Sequence, residues 1–468
     1  MLFNSYFFIL IFFPVTFIVY SFLNKAKLTI GSRVWLACAS LFFYTWWNIA
    51  FLPLILISIA VNYAVGFSLL RHTGKPKVNK KSLLIAGLVF NILLLGYFKY
   101  YNFFISNINL ILPVRFPLLD IVLPLGISFF TFTQIAYLVD AYKGIAKEYS
   151  LLNYILFVTF FPHLIAGPII HHKEMMPQFA SIRNKLLNRK NICAGAFLFS
   201  VGLFKKLILA DTFRIWANYG FNGDVHLTMV EAWVASLSYT FQLYFDFSGY
   251  TDMALGASLF FNIKLPSNFN SPYQALDMQD FWRRWHITLS RFFRDYVYIP
   301  LGGNRQGLPK SYFNIVTTFI IGGIWHGAGW LFILWGLLHG IANVFSRFVK
   351  SLNIKVNVFA ARFITFNFIN FTWIFFRSKD LGTAQNILSS MFNFSKTGLH
   401  VFNEGSSINF GAFLFILAGF VITMGFKNSN EITARVVPTF RWAALTGLLF
   451  GASMLFMARR SEFLYFQF

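Results

Sequence analysis

Charge is what this sequence lacks most. Only 12% of its 468 residues are Asp, Glu, Lys or Arg, about half the share of a soluble domain. Acid is scarcer still, with 16 Asp and Glu against 39 Lys and Arg. There are two cysteines, Cys38 and Cys193, both in or beside apolar stretches. They provide neither a disulfide framework nor a thiolate metal site, and no metal is expected. No Walker loop, dinucleotide-binding glycine fingerprint, Gly-x-Ser-x-Gly elbow or HExxH helix occurs, so those classes are set aside.

What is present is apolar. Hydrophobic residues make up 57% of the chain, 63 residues are Phe, and the mean hydropathy is +0.61. These values place the chain in a bilayer. A net charge of +23 raises the question of nucleic acid. The Lys and Arg sit in short loops between apolar spans, as the positive-inside rule expects, and nucleic acid is rejected as a partner. Membrane lipid is the expected surrounding.

Successive apolar spans run from residues 3–23 to 439–457, most close to the ~20 residues a helix needs to cross. An all-α polytopic protein of about eleven transmembrane helices plus re-entrant segments is expected. No repeat or linker divides it, so residues 1–468 read as one membrane domain with an aromatic tail at 461–468. Residues 1–23 carry no basic residue before Lys25, which reads as a retained membrane helix rather than a cleaved leader. Loop charge puts the N-terminus outside and the loops near Lys25, Arg71, Lys143, Arg183, Arg283 and Lys350 inside. It puts the C-terminus outside, with Arg459 and Arg460 arguing the other way. Segment 152–171 lies between two inside loops and carries Pro162, Gly167 and Pro168, so it is expected to dip and return as a broken backbone. Its His163 reads as structural.

Four groups of residues bear on chemistry. Gly323-Ile324-Trp325-His326-Gly327-Ala328 sets a histidine and a tryptophan between glycines inside an apolar run. An ionisable group at that depth costs a few kcal/mol and marks either a bridging core histidine or a working base. Residues 281–296 bring Trp282, Trp285, Leu289, Phe292, Phe293 and Tyr296 into one helical stripe, with Arg283, Arg284, Arg291 and Arg294 opposite. His286 falls at the stripe's edge. The arginines meet lipid phosphates or collect a phosphate-bearing substrate, for which their planar forks are suited. Asp246 and Asp252 stand in an apolar span, six residues apart and on different faces. Pairing with loop arginines and a catalytic role both remain open for them. Gly249, Ala254, Gly256 and Ala257 in the same span favour close helix packing. The tail, Phe463-Leu464-Tyr465-Phe466-Gln467-Phe468, reads as an interfacial anchor or as a carrier of an acyl group on Tyr465.

Pro124–Gly144, Phe160–Phe179, Phe241–Ser258, Pro266–Arg305 and Gly323–Gly340 resemble, in order and spacing, the membrane-bound O-acyltransferase family. The likeness is to the bacterial subgroup that includes the alginate O-acetylase membrane subunit. The resemblance implies helices around an acyl-transfer tunnel, with acyl-CoA, here acetyl-CoA, as donor on the cytosolic side and no bound cofactor. It implies His326 as the essential histidine and His286 as the second catalytic position. Trp325, Trp285, Trp330 and Asp246 would support the tunnel, and Arg283, Arg284, Arg291 and Arg294 would take the CoA phosphates. The tail resembles that of a small membrane protein accompanying teichoic-acid D-alanylation, where a tyrosine carries the acyl group. A bacterial cytoplasmic membrane, a polysaccharide acceptor such as alginate or peptidoglycan, and a separate extracytoplasmic SGNH, esterase-like O-acetyltransferase are the expected setting. A transporter or flippase relaying protons, or acylation of a lipid or protein, are the alternatives. The absence of paired repeated halves argues against a transporter.

Overall fold

A long apolar sequence with regular spans has to satisfy its backbone within helices, and among the described residues every element is helical. The computed structural model describes residues 1–71, 79–222, 226–397, 408–458 and 463–464. Among the described residues six helices are long and apolar enough to cross a membrane, and two more, Phe410–Gly425 and Phe440–Leu455, are apolar but shorter. The described residues divide into two compact units.

The first unit holds residues 1–199, 251–266 and 436–446. Its helices are α1 (Phe13–Lys25), α2 (Thr29–Thr45), α3 (Phe51–Arg71), α4 (Lys80–Leu95), α5 (Tyr101–Ile111), α6 (Ile127–Tyr142), α7 (Leu151–Thr159), α8 (Phe161–Leu164) and α9 (His172–Ala180). The expected break in segment 152–171 is present. Helix α7 stops at Phe160, α8 lasts four residues, and the backbone from Ile165 to His171 is non-helical yet buried. Pro162 starts a helix well but cannot continue one. His163 shares a hydrogen bond with the Phe157 carbonyl at 3.0 Å, a structural role as expected.

Helix α10 (Arg189–Phe204) leads through a π-helical stretch, Lys205–Ala210, into α11 (Asp211–Asn222). Helix α12 (Met229–Phe260) is 32 residues long and runs from the second unit into the first. A methyl group on Gly256 would lie 2.6 Å from the Phe199 backbone nitrogen, and one on Gly249 would lie 2.8 Å from the Gly202 carbonyl. The small residues of this span therefore permit the close packing expected of them.

The second unit holds residues 200–250, 267–435 and 447–468. It contains α13 (Met278–Arg284), α14 (Ile287–Phe293), α15 (Leu308–His326), α16 (Trp330–Ser351), α17 (Val358–Arg377) and α18 (Leu381–Met391). Helices α19 (Phe410–Phe420), α20 (Ser429–Thr433) and α21 (Phe440–Leu455) follow. The last begins in the first unit. Helices α15 and α16 form a tight hairpin. A methyl group on Gly323 would strike the Phe332 carbonyl, and one on Gly336 would strike that of Phe319.

Candidate active site

Helix α15 ends at His326 because Gly327-Ala328-Gly329 follows, and two glycines in three residues disfavour helix by about 1 kcal/mol each. Gly327 and Gly329 are extended, and α16 starts at Trp330. The turn brings the hairpin back past the imidazole. His326 is buried among the rings of Trp325 (4.9 Å), Trp335 (5.2 Å) and Phe376 (5.2 Å), each close to edge-on. It lines a cavity of about 340 Å³, together with Trp282, Arg283, Arg294, Trp335 and Arg347. Arg283 and Arg294 are exposed and His326 is buried, so the cavity joins cationic surface to a buried imidazole.

Trp330, expected to support a tunnel, stands apart from this cavity. Its side chain is 65% exposed and does not line this cavity. The non-helical turn after His326 rotates residue 330 outward, and Trp335 takes the wall position. Arg284 and Arg291 are also absent from the cavity lining. Arg284 bonds Asp280 at 2.9 Å, and Arg294, which does line it, forks onto Asp295.

The single stripe expected over 281–296 is broken. Helix α13 ends at Arg284, and His286 adopts φ 42° and ψ 54°, a left-handed conformation costing about 1–2 kcal/mol for a residue with a Cβ. The break turns His286 fully into the core rather than leaving it at the edge. Its Nδ1 lies 3.3 Å from Asn268 Oδ1, which also accepts from the Thr288 hydroxyl (2.6 Å) and backbone N–H (3.3 Å). An oxygen taking those donors accepts from His286 as well, so the neutral ring carries its proton on Nδ1 and presents Nε2 as acceptor. The His286 ring stands 6.3 Å from that of Trp325, which in turn touches His326. Trp285 is buried beside Phe281 (5.6 Å) and Trp373 (5.1 Å).

Helix α13 is anchored at its N-terminus by Asp277. Burial alone would push the Asp277 carboxyl up. Lys350 at 2.7 Å and the backbone N–H groups of Asp280 and Gln279 outweigh it and hold the carboxyl below its usual range.

Asp246 does not pair with a loop arginine. It meets Lys206, whose ammonium lies 2.5 Å from Asp246 Oδ1 and 3.2 Å from Asp211 Oδ1, all three buried. The other Asp246 oxygen accepts the Leu464 N–H at 2.8 Å. Phe463 stacks on Tyr250 (4.4 Å) and lies 5.8 Å from Phe247, whose ring is 4.8 Å from His286. Tyr465 itself lies outside the described residues. Lys206→Met strands two carboxylates, and removal of one partner from a buried pair costs about 3–5 kcal/mol. Thermal melting in detergent checks this: a clear fall in Tm is expected, and a melting curve matching wild type would count against the triad.

Lys206, Trp335, Phe376 and Arg347 were missed from sequence. Only Lys206 carried a signal, an ammonium deep in an apolar span, which implies a buried partner.

Comparison with known proteins gives the family. Residues 88–379 match the family model of the membrane-bound O-acyltransferases. The chain belongs to that family. A peptidoglycan O-acetyltransferase of Helicobacter pylori is 45% identical over all of this chain and 98% of its own length. A protein named as a probable alginate O-acetylase, AlgI, of Pseudomonas putida is 34% identical over the full length of both chains. A teichoic acid D-alanyltransferase of Bacillus subtilis is 28% identical over 54% of this chain and 69% of its own. The chain is thus a multi-pass membrane acyltransferase.

Proposed function

We propose that this acyltransferase takes an acetyl group from cytosolic acetyl-CoA and delivers it, across a bacterial cytoplasmic membrane, for O-acetylation of an exported polysaccharide. The observation that carries this reading is the single cavity shared by His326 and three arginines. A thioester at His326 would leave the CoA phosphates toward Arg283, Arg294 and Arg347, where charge-assisted hydrogen bonds hold phosphate. Peptidoglycan is the favoured acceptor, because a relative 45% identical along the whole chain is named for it.

In this reading His326 removes the proton of the attacking hydroxyl. The oxygen forms a bond to the acyl carbon, the carbon–sulfur bond breaks, and the proton passes to the departing thiolate. Histidine titrates near neutrality without help, as a general base requires. The rings of Trp325, Trp335 and Phe376 keep water, the competing nucleophile, away from the thioester. The first acceptor is Tyr465 of the tail. An SGNH, esterase-like transferase outside the membrane then moves the acetyl group from the phenol to the glycan. The anchoring of Phe463 and Leu464 near the neighbours of His286 supports a working tail over a peripheral anchor.

Purified protein incubated with radiolabelled acetyl-CoA tests the reaction. Consumption of the thioester is expected, and inert acetyl-CoA would favour a transporter. Arg283→Glu raises KM for acetyl-CoA by about tenfold or more with a smaller change in kcat, as loss of a hydrogen bond to a charged group implies. Arg284→Glu, off the cavity, leaves KM close to wild type. Equal KM changes in both variants would point to a general surface-charge effect instead.

A further inference from the structure

His339 is fully buried on α16 and is not among the residues lining the cavity. Its ring nonetheless ties three helices together. The Trp282 indole N–H on α13 donates to His339 Nδ1 at 3.2 Å. His339 Nε2 lies 3.0 Å from Thr372 Oγ1 on α17, and that hydroxyl donates onward to the Ile369 carbonyl at 2.9 Å. An indole nitrogen is a donor only, so Nδ1 is the acceptor. The neutral ring then carries its proton on Nε2 and gives it to Thr372. A doubly protonated ring would set N–H against N–H. Both ring nitrogens are committed, and neither is directed at the cavity.

The residue that His339 holds is part of the cavity. Trp282 lines it, with its ring 5.8 Å from Trp335 and 5.2 Å from Phe319. Arg283 follows Trp282 directly on a helix of seven residues. A rotation of that short helix would move the wall and the arginine together. We infer that His339 is a positioning residue for the donor site: through Trp282 it fixes the cavity wall, and with it Arg283. The inference rests on the acyl-CoA reading of the cavity.

The test compares His339→Leu, His339→Gln and Thr372→Val with wild type, following polymer acetylation in cells and acetyl-CoA kinetics in membrane vesicles across pH. His339→Leu removes both hydrogen bonds and is expected to raise KM about tenfold. Its kcat and the shape of its pH profile stay near wild type. Glutamine offers an oxygen to Trp282 and an N–H to Thr372, so His339→Gln restores most of the loss. Thr372→Val removes one partner and raises KM by less. A normal KM in folded His339→Leu overturns the inference. So does a collapse of kcat with an altered pH profile in both the Leu and Gln variants, which would make His339 a base. Should the Leu variant fail to accumulate, Thr372→Val decides by the same KM criterion. A wild-type protein that acetylates polymer in cells but ignores acetyl-CoA in vesicles would remove the donor reading alone. The order wild type, Gln, Leu in cellular acetylation would then still decide the role of His339.

Discussion

His326→Ala lowers acyl transfer by about 10²–10⁴-fold, the usual contribution of a general base, while the protein still inserts and folds. The argument is geometric. His326 sits at the end of α15, buried, and on the cavity that Arg283, Arg294 and Arg347 also line. The α15–α16 contact that fixes it is made through Gly323 and Gly336 rather than through the imidazole, so its removal leaves the hairpin in place. Truncation does open a gap between Trp325, Trp335 and Phe376. His326→Gln, which fills more of that gap and cannot take a proton at neutral pH, separates the two effects. Both variants should be inactive at normal membrane levels. Polymer acetylation near wild type in either one would remove His326 from the mechanism.

Tyr465→Phe stops polymer acetylation but leaves acetyl-CoA binding intact. The substitution deletes one oxygen and keeps the aromatic bulk, so an anchor survives it and a carrier does not. A phenolic ester suits a carrier because phenolate is a better leaving group than an alkoxide, which keeps the acetyl group transferable. Labelled acetate on the wild-type tail, recovered by mass spectrometry and missing from the Phe variant, is the expected observation. Wild-type product from Tyr465→Phe, or a cytosolic tail by labelling of Ser461→Cys, would leave Tyr465 as an aromatic anchor.

The membrane class, the helical fold and the end of a helix at His326 were legible because each is written in local pattern. Apolar length marks a span, and a histidine between glycines in such a span is conspicuous. The broken segment at Pro162 was legible for the same reason, since proline acts on its own backbone. Positions set by departures from regular helix were not. A helical wheel drawn through residue 286 assumes a regular helix, and the left-handed backbone there redirects everything after it. Trp330 looked like a neighbour of His326, but the extended turn between them cancels the helical phase. Trp335, nine residues on, returns to the imidazole instead. Phe376 and Arg347 arrive from more distant sequence, and no spacing rule links them to His326. Lys206 was passed over because the carboxylates were matched only with arginine.

The Lys206 triad also constrains how the chain enters the membrane. Lysine and aspartate each cost about 2.5–3.5 kcal/mol at the centre of a lone inserted helix. Lys206 and Asp211 are five residues apart in one stretch and bond each other, so that stretch can partly neutralise itself as it leaves the ribosome. Asp246 is made 35 residues after Asp211, on α12, and has no such partner in its own helix. Its counter-charge is already waiting on the earlier segment. Pairing the two segments before either faces lipid alone would spare the cost of the lone carboxylate. The chain order thus makes the ammonium before the lone carboxylate that it neutralises in the finished fold.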